Sequence, residues 1–272
     1  MSSRQGISSQ DCGNTFGERK IDSPLSSDEL ERYNRQIGPG VLTEQGQQQL
    51  RDATVLVTRA GGMGGPAALM MAMAGVGRIL LAHGGTMISP DLNRQVLGNE
   101  QLLGKPRATH FAEYLRSMNR FIEVEAIDHE PDDEEAHQLA ERSDLVVACP
   151  PTFKERLRLN RASVAAGIPF IDAAQWGISG TLMVLKSPRT ACLECVYPTP
   201  PPFEELFPVV GAISSAIGSL AALEAIKVLS GTGDPLWGKM LSYDGNRGIP
   251  TVISLTRNPQ CPCCQETAED AE

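Results

Sequence analysis

Four cysteines in two C-x-x-C pairs, Cys192 with Cys195 and Cys261 with Cys264, are the residues of this chain best suited to chemistry. Two such knuckles supply four thiolates, enough to close a tetrahedral zinc site with no open position, so the ion's role would be structural. An ion held this way would staple the end of the chain back onto a much earlier segment. The alternative reading is four ordinary buried thiols. Cys263 is spare, and Cys12 and Cys149 have no such partners and read as unligated.

A second constellation is the run VLVTRAGGMGGPA from Val55 to Ala67, in which a β-branched strand enters a glycine cluster that opens a helix. Gly61, Gly62, Gly64 and Gly65 would let the backbone approach a phosphate and aim N–H groups at it from a helix N-terminus. A tight strand-to-helix turn packed for its own sake fits equally well. Cations to meet a phosphate are on offer in Asn93-Arg94-Gln95, in Gly104-Lys105-Pro106-Arg107 and at Arg35 of RYNRQI. Taken one at a time, such arginines also read as solvated surface charge. A nicotinamide site would need an acid about 20 residues beyond the glycines, and the chain has Ala82-His83-Gly84-Gly85 there. That argues against a dehydrogenase. His83 has no carboxylate close in sequence to orient it as a base and reads as a loop histidine.

The elements that must position these groups follow from the hydrophobic pattern. Strands at 53–58, 78–82, 121–127, 144–149 and 168–172 alternate with helices at 62–74, 105–117, 132–141 and 152–166, after two short helices at about 29–37 and 43–51. This rhythm predicts an α/β fold, a Rossmann-like, mainly parallel sheet with helices on both faces. It then changes to strands at Gly180 to Leu185, Met240 to Tyr243 and Thr251 to Leu255, around a long helix from Val210 to Leu229. These predict C-terminal antiparallel strands beside the zinc knuckle. The crossover from Tyr197 to Pro208 includes Pro198, Pro200, Pro201 and Pro202, which cannot donate to a ladder, and it reads as a surface loop. Residues 1–24 are expected to be a disordered tail, 25–265 one domain, and 266–272 an acidic tail.

Composition narrows the function. With 272 residues, 41% of them hydrophobic, the chain can bury one sizeable core. A net charge of -9 argues against nucleic acid as a partner. No apolar run is read as long enough to cross a membrane, and no secretory h-region is visible, so a cytoplasmic location is expected.

ERYNRQIG, the strand followed by AGGMGG, AGVGRILL, LNRQVL, LGKPR, CLEC, IGSLAALEAIKVLSG and CPCC occur in this order between Glu29 and Cys264. This series resembles the HesA/MoeB/ThiF family, bacterial relatives of ubiquitin-activating enzymes. The HGGTM segment and the arginine of GKPR look most like the HesA branch. The resemblance implies a nucleotide-binding domain that adenylates the C-terminal carboxylate of a ubiquitin-like sulfur-carrier protein with ATP and binds that partner. It further implies that Gly61, Gly62 and Gly64 line the phosphates, that Arg94 and Arg107 clamp them, and that Arg35 reaches into the other subunit of a homodimer. Cys192, Cys195, Cys261 and Cys264 match the family's zinc ligands.

The departures from the family pattern bear on activity. Arg59 stands at the first glycine of the turn, where a side chain could meet the nucleotide. His83 replaces the acid that grips the ribose, and Ala148 and Pro151 replace acids associated with Mg²⁺. Where some relatives carry a sulfur-transferring cysteine, the chain reads Pro202, Phe203, Glu204, Glu205. Two readings follow: an adenylyltransferase working through arginines and backbone amides, or a catalytically degenerate homologue acting as a zinc-stapled dimeric docking module.

Overall fold

A computed structural model describes residues 23–202 and 208–265, so the two tails and the Phe203–Glu205 segment lie outside the described residues almost entirely. The described chain begins with α1 (Ser27–Tyr33), opened by a capping box in which the Ser26 hydroxyl accepts from the Glu29 N–H while the Glu29 carboxylate accepts from the Ser26 N–H at 2.8 Å. Helix α2 (Glu44–Arg51) is capped by Thr43, whose hydroxyl accepts from the Gly46 N–H at 2.9 Å.

The alternating region runs β1 (Thr54–Thr58), α3 (Gly64–Ala74), β2 (Arg78–Ala82), α4 (Arg107–Met118), β3 (Glu123–Ile127), α5 (Asp133–Glu141), β4 (Leu145–Ala148), α6 (Phe153–Ala165) and β5 (Phe170–Trp176). It continues with β6 (Ser179–Leu185), α7 (Leu193–Val196), α8 (Gly211–Ser230), β7 (Lys239–Asp244) and β8 (Ile249–Ser254). One sheet of eight strands holds them, in the order β3-β2-β1-β4-β5-β6-β7-β8. The first five strands are parallel and the remaining pairings antiparallel. This is the expected Rossmann-like α/β fold. Several boundaries differ by a few residues: α1 already ends at Tyr33, and β5 runs on to Trp176 rather than stopping near residue 172, because a two-residue hairpin at Gly177 and Ile178 gives its second half a partner in β6.

Strand periodicity divides the core between two faces. On one, Val55, Val57, Ile79, Leu81, Val147 and Ile171 pack with residues of α3, α4 and α8. On the other, Leu56, Leu80, Val146 and Phe170 pack with α5, α6 and α7. Neighbouring residues of a strand point to opposite faces, so a strand covered by helices on both sides must be apolar throughout. Burying each such side chain contributes roughly 1.5–3 kcal/mol.

Helix α8 corrects one expectation. Its 20 residues are long and apolar enough to cross a membrane by length and composition, with a mean hydropathy of 1.5, yet 56% of that span is buried within the protein. It lies against α3 in the core, and its glycines make the approach close. A Cβ at Gly218 would overlap the Met63 carbonyl, and one at Gly211 the Asn93 carbonyl.

The order of the strands locates the site. Strand β1 lies between β2 and β4, so connections leave it in opposite directions and a crevice opens beyond the carboxyl ends of β1 and β4. The glycine turn follows β1 directly.

Candidate functional site

The turn from Thr58 to Gly65 is closed by its own backbone: the Gly61 N–H donates to the Arg59 carbonyl at 2.6 Å and the Gly65 N–H to the Gly61 carbonyl at 2.9 Å. Arg59 takes a left-handed conformation, φ 55°, the one described residue other than glycine to do so. For an L-residue this costs roughly 1–2 kcal/mol. Its guanidinium is anchored in return. Nε and Nη2 donate to the two oxygens of Glu155 at 2.7 and 2.9 Å, and Nη1 pairs with Glu130. Glu130 also accepts from the Gly84 N–H at 2.9 Å, so one arginine ties together the ends of β1 and β2, the loop after β3, and the first turn of α6.

A cavity of about 1110 Å³ opens at this crevice, a volume suited to a small-molecule ligand. Arg59 forms part of its wall rather than filling it. Gly61 and Gly62 line it too, in places that side chains would crowd. A Cβ at Gly61 would sit 3.1 Å from His83, and one at Gly62 would sit 3.3 Å from both Arg94 and Ser214. Gly64, grouped with them from the sequence, does not reach the cavity wall. Its Cβ would lie 2.6 Å from the Arg59 carbonyl, so its lack of a side chain serves closure of the turn.

The three arginines separate. Arg94 lines the cavity, donating from Nη1 to the Pro90 carbonyl at 2.7 Å and to Asn93 at 3.0 Å. Arg107, in the first turn of α4, donates from Nη1 to the Gly84 carbonyl at 3.0 Å. Between them sits Asp91, 4% exposed, whose Oδ1 lies 3.3 Å from Arg94 Nη2 and whose Oδ2 pairs with Arg107. Arg35 is exposed in the turn after α1 and does not line this cavity.

Carboxylates are present, although not where they were sought. Positions 148 and 151 carry none, yet Asp91, Glu155 and Asp172 all line the cavity. Asp172 lies on β5 opposite Ala148 of β4, and its Oδ1 pairs with Arg156 at 2.6 Å. Burial pushes the Asp172 carboxyl up, against the pull of Arg156. The nearby Cys149 thiol is raised by burial to about 12, so at neutral pH it is an uncharged thiol and a poor nucleophile.

Several buried polar atoms around the turn lack partners. His83 and Gln95 are 5% and 6% exposed, and His83 Nδ1 and Gln95 Oε1 accept or donate no hydrogen bond. Burial, reinforced by Arg107 and Arg59, lowers the His83 pKa to about 3, so the ring is neutral at physiological pH. Ser214 Oγ, beside Gly62, is similarly unpartnered. Sequence reasoning missed Asp91, which lies two residues before the Asn93-Arg94-Gln95 motif it singled out.

The cysteine pairs converge as their spacing implies. The Sγ atoms of Cys192, Cys195, Cys261 and Cys264 lie within 4.8 Å of one another, with separations of 3.8 Å for Cys192–Cys195, 3.6 Å for Cys192–Cys261 and 3.5 Å for Cys195–Cys264. Four sulfurs at ordinary zinc bond lengths on a tetrahedron stand about 3.8 Å apart, so this donor set fits the ion. Cys263 stays outside the quartet, its Sγ 3.3 Å from Asn160 Nδ2. Asn160 also accepts from the Leu193 N–H at 2.8 Å and so braces both knuckles from α6.

Comparison with known proteins matches residues 33–263 to the ThiF family. The heterocyst protein HesA of Trichormus variabilis is 39% identical, over 90% of this chain and 92% of that protein. The sulfur carrier protein adenylyltransferase of Thermus thermophilus is 33% identical, over 91% of this chain and 95% of its own length. Among solved structures, the crystal structure of E. coli MccB with ATP superposes with a TM-score of 0.72 at 22% identity, covering 81% of this chain and 68% of that one. At that identity the likeness speaks for the fold.

Proposed function

The chain belongs to the ThiF family, and from that membership we propose that it is a HesA-type adenylyltransferase, activating the C-terminal carboxylate of a ubiquitin-like sulfur-carrier protein with ATP. The observation that carries the reading is the open cavity beyond β1 and β4. Arg59, the residue whose side chain was expected from sequence to meet the nucleotide, is drawn into the wall by Glu155 and Glu130.

In the proposed reaction a carboxylate oxygen of the carrier attacks the α-phosphorus of ATP. A carbon–oxygen–phosphorus anhydride forms, the bond from the α-phosphorus to the bridging oxygen breaks, and pyrophosphate leaves with the electron pair. Two anions must meet, so the site has to supply positive charge and fixed donors where charge accumulates. Arg94 on the wall, with Arg107 behind Asp91, supplies the charge, and Gly61 and Gly62 give the phosphates close access to backbone. Arg35, exposed and away from its own cavity, is free to serve the cavity of a second subunit in a homodimer. The four cysteines would hold zinc, whose chemistry here is to cross-link two distant parts of the chain. We place this activity in the cytoplasm.

A second reading has its own support. Asp91 already neutralises Arg94 and Arg107, and Glu155 places a further negative charge on the wall, all of which opposes a triphosphate. A docking module without turnover fits that charge balance. Exchange of labelled pyrophosphate into ATP in the presence of a carrier ending in Gly-Gly separates the two. Carrier-dependent exchange supports the enzyme, and ATP-independent carrier binding without exchange supports the module.

A further inference from the structure

We propose that the zinc centre shapes the ligand cavity through Tyr197, so that zinc and nucleotide are bound cooperatively. Tyr197 is a positioning residue in this scheme, acting through the first turn of α6, and the inference rests on the nucleotide reading above for its ligand. The geometry begins at α7. Cys192 caps this short helix, Cys195 lies within it, and Tyr197 ends it, its N–H donating to the Leu193 carbonyl at 2.9 Å. Two of the four thiols and a residue of the cavity wall thus belong to one helical turn and its caps. Pro200, Pro201 and Pro202, which continue the chain from Tyr197, line the same cavity, so its placement carries theirs.

Tyr197 passes that placement to α6. Its ring meets Phe153, the first residue of α6, edge to face with the centroids 4.9 Å apart, and the Arg156 guanidinium stands 5.9 Å from the Phe153 centroid. Phe153, Arg156 and Tyr197 all line the cavity, and Arg156 pairs with Asp172 on β5 at 2.6 Å. The same turn of α6 carries Glu155, whose carboxylate takes two prongs of Arg59 at the glycine turn. Contacts therefore run from the cysteine knuckle through Tyr197, Phe153 and Glu155 to the turn that would meet the phosphates. Farther along α6, Asn160 is 1% exposed, accepts from the Leu193 N–H at 2.8 Å and donates to Cys263 Sγ at 3.3 Å. The knuckle thus grips α6 at Asn160, and α7 grips its beginning through Tyr197.

A helix of four residues is far too short to hold itself, so α7 depends on what fastens its ends. Zinc would fix Cys192 and Cys195 on one ion with Cys261 and Cys264, and with them the Tyr197 ring against Phe153. Without the ion that fastening is lost, and the wall behind Tyr197 loses its set position. A ligand that needs the wall in place binds the zinc-loaded form better, and by linkage strengthens zinc binding by the same factor.

The experiment measures the zinc affinity of the full chain by competition with a chromogenic chelator, with and without saturating ATP and Mg²⁺. Calorimetric titration of the zinc-loaded protein with ATP runs alongside it. For the unaltered protein, ATP is expected to raise zinc affinity about fivefold or more, the lower end of ordinary coupling between sites. Tyr197→Phe keeps the ring and is expected to keep that factor. Tyr197→Ala should still load zinc at full stoichiometry and bind ATP more weakly, with the factor falling toward one, which loss of packing alone would not produce. Phe153→Ala should do the same from the other side of the contact. Zinc affinity unmoved by ATP that calorimetry shows to be bound overturns the proposal, leaves the nucleotide reading standing, and needs no variant to fold. A factor undiminished in both alanine variants overturns it too. Failure of the zinc-loaded parent to bind ATP overturns the nucleotide reading and this inference together.

Discussion

Asp91 pairs with Arg107 through a carboxylate that it shares with Arg94 and with the N–H of Ile88, which donates to it at 3.2 Å. A 96% buried acid thus sets the posture of both arginines assigned to the phosphates. Its removal would strand two guanidinium groups in a largely desolvated place, and breaking a buried pair from one side costs roughly 3–5 kcal/mol. Asp91→Ala is therefore expected to lower unfolding free energy in denaturant titration by at least about 2 kcal/mol and to weaken ATP binding. A variant as stable as the parent would show that the cluster does not hold the arginines.

Arg59 and Glu155 are expected to be energetically coupled, since they form a two-pronged pair across 96 residues of sequence. Arg59→Gly relieves the left-handed strain but leaves Glu155 on the cavity wall, and Glu130 behind it, without their arginine. In a double-mutant cycle, Glu155→Gln should destabilise the parent yet be nearly neutral in the Arg59→Gly background, with a coupling of about 1–3 kcal/mol. Additive effects would remove the strut. ATP affinity of Arg59→Gly should fall as well, because the freed Glu155 carboxylate on the cavity wall then faces the phosphates.

The metal content should be about one zinc per chain, bound by four sulfurs. Changing Cys192 and Cys195 to serine together should abolish it and lower the melting temperature, as should a strong chelator acting on the parent. Zinc retained by the double variant at full stoichiometry would show that these thiols are not its ligands.

His83 gives stability a pH dependence. In the unfolded chain its ring takes up a proton near 6.5, whereas the folded chain refuses it until about 3. Between those values the unfolded state binds more protons, so stability drops as pH drops, by roughly 4 kcal/mol over the whole window. Above 6.5 the ring is neutral in both states and contributes no slope. His83→Asn should accordingly show a shallower loss of stability from pH 6.5 to pH 4 than the parent in parallel denaturation curves. Identical slopes would place His83 in contact with water.

What the sequence disclosed depended on how local each signal was. The cysteine quartet was visible because two residue types at fixed short spacing suffice to announce it, and β1 with its glycine turn because strand, turn and helix are contiguous. Asp91 was overlooked since its meaning arises only when a short 3-10 turn brings it under Arg94 while α4 delivers Arg107 from 16 residues away. Arg59 read as an obstruction because its two carboxylate partners come from the loop after β3 and from α6. The long helix was placed correctly, but its suitability for a bilayer emerged only once its full length was known.

The contact between α8 and the turn reaches further than packing. At Gly218 and Gly211 the helix presents bare backbone to Met63 and Asn93, and a single added carbon at either would have to push the turn or the Arg94 segment aside. The shape of the pocket is thus written partly in hydrogen atoms, on a helix whose glycines meet the turn from behind. Two positions with no side chain at all constrain the ligand chamber as firmly as any guanidinium facing into it.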